Sequence, residues 1–90
     1  MSVKIRLHPY LRRFTDDQAV VEVAGQTVGE CIDDLEIQFS GIKKELCDER
    51  GKLLSIYDIY INSDSSYPEE LAKLVKDGDE LTIVTIIAGG

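Results

Sequence analysis

Val3, Ile5 and Leu7 alternate with Lys4 and Arg6 at the start of the chain, the period of two that a half-buried strand imposes. His8-Pro9 ends this strand, because proline offers no backbone N–H to a ladder. A second alternation runs from Ala19 to Ala24, after the polar stretch Thr15-Asp16-Asp17-Gln18. Together they predict an N-terminal antiparallel hairpin with Arg12-Arg13-Phe14 in its connection. Gly25-Gln26 breaks the second strand, and Thr27-Val28-Gly29-Glu30 reads as a capping box. In that box Thr27 accepts from the N–H of Glu30, while Glu30 reaches back to the N–H of Thr27. Val28, Ile32, Leu35 and Phe39 fall on one helical face, which predicts a helix over 28–39. Ser40-Gly41 stops it.

Ile42 to Leu46 forms one further turn, closed off by Gly51. Ile56 to Ile61 is a third strand, rich in β-branched and aromatic residues. Asn62-Ser63-Asp64 turns the chain, and Pro68 opens a short helical piece through Leu71, Leu74 and Val75. Lys76-Asp77-Gly78-Asp79 leads into a last strand, Glu80 to Ile87, with Leu81, Ile83, Thr85 and Ile87 on one face. That strand is apolar on both faces, which assigns it a central place in the sheet. The order is strand, strand, helix, strand, short helix, strand. It predicts an α+β fold of the β-grasp (ubiquitin-like) kind, a mixed sheet with one main helix across one face. The rival, a ferredoxin-like fold, needs a second full-length helix. With no repeat, linker or low-complexity tract, residues 1–90 read as a single domain.

Composition narrows the function. A hydrophobic share of 43% supports a packed core rather than disorder. Ten Lys plus Arg against seventeen Asp plus Glu leave a net charge of −7, which disfavours binding to a phosphate backbone. No apolar run approaches the ~20 residues of a bilayer span. Charges inside the first apolar segment are unlike a signal peptide. The expected setting is therefore cytoplasmic, with neither nucleic acid nor membrane as a partner.

The last strand runs into Ala88-Gly89-Gly90. Residues without a Cβ thread a channel too narrow for side chains. A flexible tail of this kind delivers a carboxylate into a partner's buried active site. That carboxylate is ionised at neutral pH and a poor electrophile, so acyl transfer needs prior activation, most economically by AMP. The chain has no phosphate-binding Gly-rich loop. The activation thus falls to a partner, and the chain reads as a carried substrate rather than an enzyme.

Compact size, this element order, the Lys76-Asp77-Gly78-Asp79-Glu80-Leu81 turn and the Ala88-Gly89-Gly90 ending together resemble the ThiS/MoaD family of sulfur carriers. Within it the likeness is to the branch serving thiocarboxylate-dependent cysteine synthesis. The residues that carry this are Leu11-Arg12 with Thr15, Gly25-Gln26-Thr27-Val28-Gly29, Asp34-Leu35-Glu36 and Ser40-Gly41-Ile42. Gly51-Lys52-Leu53, Ile59-Tyr60-Ile61-Asn62 and Ile87-Ala88-Gly89-Gly90 complete the set. Molybdopterin-type carriers usually have prolines where this chain has Thr85-Ile86-Ile87, and thiamine-type carriers lack the Gly41-to-Lys52 excursion.

The resemblance implies a cycle in which the chain itself binds no cofactor. An E1-like adenylyltransferase uses ATP and magnesium to adenylate Gly90, and a sulfur donor converts it to a thiocarboxylate. Ala88 and Gly89 thread the partner's active site. The sulfur then attacks activated serine on a PLP-dependent cysteine synthase-like enzyme, and a metallopeptidase releases cysteine. Alternatives are the small subunit of molybdopterin synthase, a ubiquitin-like modifier joined through Gly90 to lysines, and a binding module with an incidental tail.

Other residues weigh less. Cys31 and Cys47 are too few for a disulfide framework and read as buried apolar residues rather than persulfide carriers. His8 is the only histidine and reads as a strand-end residue. The pairs Asp16-Asp17, Asp33-Asp34 and Asp77-Gly78-Asp79 do not fit a calcium loop. Lys4, Arg6, Arg12 and Arg13 give the first thirteen residues a charge of +4, an asymmetry suited to orienting a partner. Leu11, Phe14, Ile61 and Ile86 are the candidates for an apolar docking surface near the tail.

Overall fold

The computed structural model describes residues 2–86. Five strands make one sheet: β1 Val3–Leu7, β2 Val20–Val23, β3 Tyr57–Ile61, β4 Asp64–Ser65 and β5 Glu80–Thr85. Their spatial order is β2-β1-β5-β3-β4. β1 and β5 run parallel, with Ile5 opposite Leu81 and Leu7 opposite Ile83, and the other pairs are antiparallel. This is the predicted β-grasp, with β5 at its centre.

Two helices, α1 Val28–Gln38 and α2 Ile42–Leu46, join the sheet in a single core. Val3, Ile5 and Leu7 of β1 are buried, as are Leu81 and Ile83 of β5, while Lys4 and Arg6 point to water. Val28, Cys31, Ile32 and Leu35 supply the buried stripe of α1. Alternation on strands and the 3–4 spacing on the helix thus meet in the core they predict.

The start of α1 departs from the expected box by one residue. The Glu30 N–H donates to Thr27 Oγ1 at 3.1 Å, but Glu30 Oε1 accepts from the N–H of Gln26 at 2.8 Å. A strap over residues 73–75 explains the rest. The Val28 N–H donates to the Lys73 carbonyl at 2.9 Å, and the Val75 N–H to that of Gln26 at 3.0 Å. The residues just before the strap crowd Gly29, where a Cβ would lie 3.1 Å from the Leu71 carbonyl oxygen.

The helical piece expected after Pro68 shrinks to one 3₁₀ turn, Glu70–Ala72. Glu70 has a φ of +52°, outside the right-handed helical region, and Lys73 is extended. Leu74 consequently stands 76% exposed instead of packing on a helical face. The first connection also differs, since Pro9–Phe14 winds as a 3₁₀ helix with the proline in its first turn. Two predicted ends move inward: α1 stops at Gln38, with Phe39 as its cap, and β3 starts at Tyr57. The last strand is described to Thr85, and Ile87 lies outside the described residues.

Gly41 at φ +108° reverses the chain between α1 and α2, a conformation that suits glycine. Glu36 then caps α2 from the preceding helix. Its carboxylate accepts from the N–H of Gly41 at 2.9 Å and of Lys43 at 2.8 Å. These bonds hold the Glu36 carboxyl below its ordinary pKa. The bonds are therefore intact above the unfolded-state pKa and lost as pH falls through the lowered folded value. Glu36→Gln is expected to cost about 1 kcal/mol at neutral pH. In urea unfolding at several pH values, the gap between variant and parent should close in acid. A gap that stays constant with pH would contradict the capping role.

Candidate functional site

The candidate chemistry lies at Gly90, with Ala88 and Gly89 before it, and all three are outside the described residues. What the structure does describe is the place from which this segment departs. β5 ends at Thr85, and the Ile86 N–H still donates to the Ile56 carbonyl at 2.8 Å. On the other side, β1 has already left the sheet at His8-Pro9. A cleft of about 260 Å³ opens there, lined by His8, Tyr10, Glu45, Ile56, Tyr57 and Thr85.

Its polar groups are largely paired within the fold. The Tyr57 hydroxyl donates to Glu45 Oε2 at 2.7 Å, tying β3 to α2. Burial first, and then the adjoining Glu45 carboxylate, push the phenol well above its ordinary pKa, so it stays protonated at neutral pH. His8 Nδ1 accepts from the Tyr10 N–H at 3.1 Å. The Arg13 guanidinium sits 4.4 Å from the centre of the Tyr10 ring. What remains open is largely aromatic and aliphatic surface.

The four docking candidates do not assemble into a patch. Leu11 is fully buried, because the 3₁₀ winding turns it into the core, so it has no surface to offer a partner. Phe14 and Ile61 are half-buried against the core. Ile61 pairs with Leu81, whereas Ile86 lies beyond Thr85 at the other end of the same strand. Ile86 is 54% exposed. Tyr10 and Ile56, also well exposed, are the apolar side chains beside it that sequence reasoning missed. Nothing in their spacing singles them out, since Tyr10 sits in the short 3₁₀ helix and Ile56 in the turn before β3.

Neither cysteine is a good nucleophile. Burial, with Glu30, Asp34 and Asp79 nearby, pushes the Cys31 thiol up to about 11. Burial also raises Cys47, which borders a broad open hollow with Lys43, Lys44 and Arg50. Among the described residues no cluster of three or more His, Cys, Asp or Glu could hold a metal ion. No described helix is long and apolar enough to cross a membrane.

Comparison with known proteins places this geometry. The sequence matches the family model described as "ThiS family" over residues 5–90. The chain belongs to the ThiS family. This ThiS-family chain is 39% identical over 93 residues to the sulfur carrier protein CysO of Mycobacterium bovis, covering all of both chains. It superposes with a TM-score of 0.89 on a chain of the Amycolatopsis orientalis BexX/CysO complex. That match has 39% identity and covers 98% of this chain and 99% of the other. SAMP1 from Haloferax volcanii, at 22% identity and a TM-score of 0.84 over the full length of both chains, shares the fold.

The two ends of the docking proposal separate cleanly by mutation. Leu11→Ala should cost about 3 kcal/mol, as removal of a buried leucine does. Ile86→Ser should change stability by less than about 0.5 kcal/mol. Urea midpoints of the two variants measure this. Equal losses would mean that Ile86 belongs to the core.

Proposed function

We propose that this chain is a sulfur carrier that works through a thiocarboxylate on Gly90, in the synthesis of cysteine. The observation that carries the reading is full-length identity of 39% to a sulfur carrier protein, in a chain ending Ala88-Gly89-Gly90. An E1-like partner, using ATP and magnesium, joins the Gly90 carboxylate to AMP with loss of pyrophosphate. Hydrosulfide or a bound persulfide then attacks the acyl carbon, and AMP leaves. With a persulfide donor the product is an acyl disulfide, and a thiol then attacks its outer sulfur, forming a disulfide and freeing the thiocarboxylate. The product is a carboxylate in which sulfur replaces one oxygen, and sulfur is the better nucleophile. In the cysteine route the sulfur bonds to the β-carbon of an O-activated serine on a PLP-dependent enzyme, and the activating group is lost together with the serine oxygen. The resulting thioester passes its acyl group to the amino nitrogen to give an amide. A metallopeptidase then hydrolyses that amide and returns the carrier.

The fold supports a passive role in this chemistry. The buried, high-pKa thiols of Cys31 and Cys47 make poor competing sulfur sites. The departure point of the C-terminal segment is held by the central strand, so a partner meets it at a defined place. No side chain of the carrier needs to act as acid, base or metal ligand.

The test is accurate intact mass after incubation with ATP, magnesium, the host's E1-like enzyme and a sulfide source. Oxidation of Met1, Cys31 or Cys47 mimics the mass of the exchange, so the alkylated C-terminal peptide must be sequenced. Sulfur is expected on Gly90, and none on a variant lacking Gly89-Gly90. An unconverted Gly90 beside a control carrier converted by the same enzyme would overturn the reading. Conjugates to lysine side chains in extract would instead favour a protein modifier.

A further inference from the structure

We propose that α1 guards the free edge of the sheet, and that opening this guard lets β2 pair with β2 of a second copy. β2 is an outermost strand, and an unpaired strand edge is a ready template for another chain. Its inner bonds fix which groups face out. The Leu7 N–H donates to the Ala19 carbonyl at 2.8 Å, and Ile5 and Val3 stand opposite Val21 and Val23. Ala19, Val21 and Val23 therefore bond inward, while Val20, Glu22 and Ala24 turn their N–H and C=O groups outward.

α1 answers these outward groups with one row of side chains. Glu30, Asp34 and Gln38 recur every four residues and so share a helical face away from the buried stripe. Gln38 Nε2 donates to the Glu22 carbonyl at 2.9 Å, and Asp34 Oδ2 accepts from the Ala24 N–H at 2.9 Å. Gln38 Nε2 also reaches Asp34 Oδ2 at 3.4 Å, which ties the two guards together. Glu30 extends the row to the Gln26 N–H at 2.8 Å.

Symmetric pairing needs the groups that the row occupies. Centred on Val21, it sets Val20 against Glu22 of the second copy and requires the Glu22 carbonyl. Centred on Glu22, it requires that carbonyl and the Ala24 N–H as well. A second copy is the favoured occupant because its β2 presents the same pattern, so one contact closes on itself. The β-branched pair Val20-Val21 suits the strand that results. Only the guard bonds stand in the way.

The experiment is sedimentation velocity on the full chain over a range of concentrations. It is run in about 1 M sodium chloride, where a screening length of about 3 Å suppresses repulsion between acidic chains. The Asp34→Ala/Gln38→Ala variant should associate at least about tenfold more tightly than the parent, because the guard on each copy no longer has to open. Amide exchange on the associated variant should show new protection at Val20 and Glu22. Asp34→Asn/Gln38→Lys keeps an acceptor and a donor in place, and should sediment as the parent does although it is less acidic. A folded alanine variant that associates no more than the parent would overturn the proposal, as would association with protection elsewhere. Should the alanine variant not fold, the parent decides. Its Ala24 amide is expected to be about tenfold better protected from exchange than the outward Val20 amide, and equal protection would overturn the guard. None of these measurements involves Gly90, so the carrier reading stands or falls apart from them.

Discussion

The parallel pairing of β1 with β5 is the contact on which the rest of this molecule is assembled. It brings the first and last strands of the sequence side by side, with Ile5 against Leu81 and Leu7 against Ile83. Every later element finds its place from that seam. β2 folds back along β1, β3 along β5, and α1 crosses the face where these four side chains are buried. Such a contact spans most of the chain and so closes a long loop at an entropic cost. The aliphatic surface buried there offsets it. An interior strand, hydrogen-bonded on both edges, is also the firmest base from which a segment can leave the fold.

Acidic side chains do much of the local fastening. Glu36 caps α2, Glu30 holds the entry to α1, and Asp34 Oδ2 accepts from the Ala24 N–H at 2.9 Å. Asp79 accepts from the Lys76 N–H at 2.9 Å and from Asn62 Nδ2 at 2.8 Å, joining two turns at the start of β5. Backbone amides, rather than side-chain cations, are the main partners. Lys4 and Arg6 remain exposed on the opposite face of the sheet, and Arg6 pairs loosely with Glu80 at 3.4 Å. An exposed pair of this kind adds little stability. The net charge of −7 is thus compatible with a tight fold because many of its carboxylates neutralise N–H dipoles.

The sheet and α1 were legible in the sequence because each carries its period over several residues. Val3 to Leu7 alternates without error, and Val28 to Leu35 repeats at helical spacing. β4 escaped because two residues are too few to show a period. Leu11 was misread because a single 3₁₀ turn has no lasting pattern to mark its inner side. Glu36 lies off the buried stripe of α1, and only the reversal at Gly41 shows which amides it faces. Glu70 gave no warning either, since glutamate has no special affinity for positive φ. At the candidate site, the sequence offered the diglycine but not the cleft. Tyr10 and Ile56 are neighbours only after β1 and β3 flank β5.

The parallel seam also sets how the molecule carries a load. Tension applied between the start of β1 and the end of β5 pulls the two strands past each other along their length. Their hydrogen bonds then bear the force together, as in a lap joint, rather than opening one by one. The Asn62–Asp79 bond fastens the far end of β5 against being drawn through. A partner that tugs on the C-terminus therefore meets the fold along its most resistant direction.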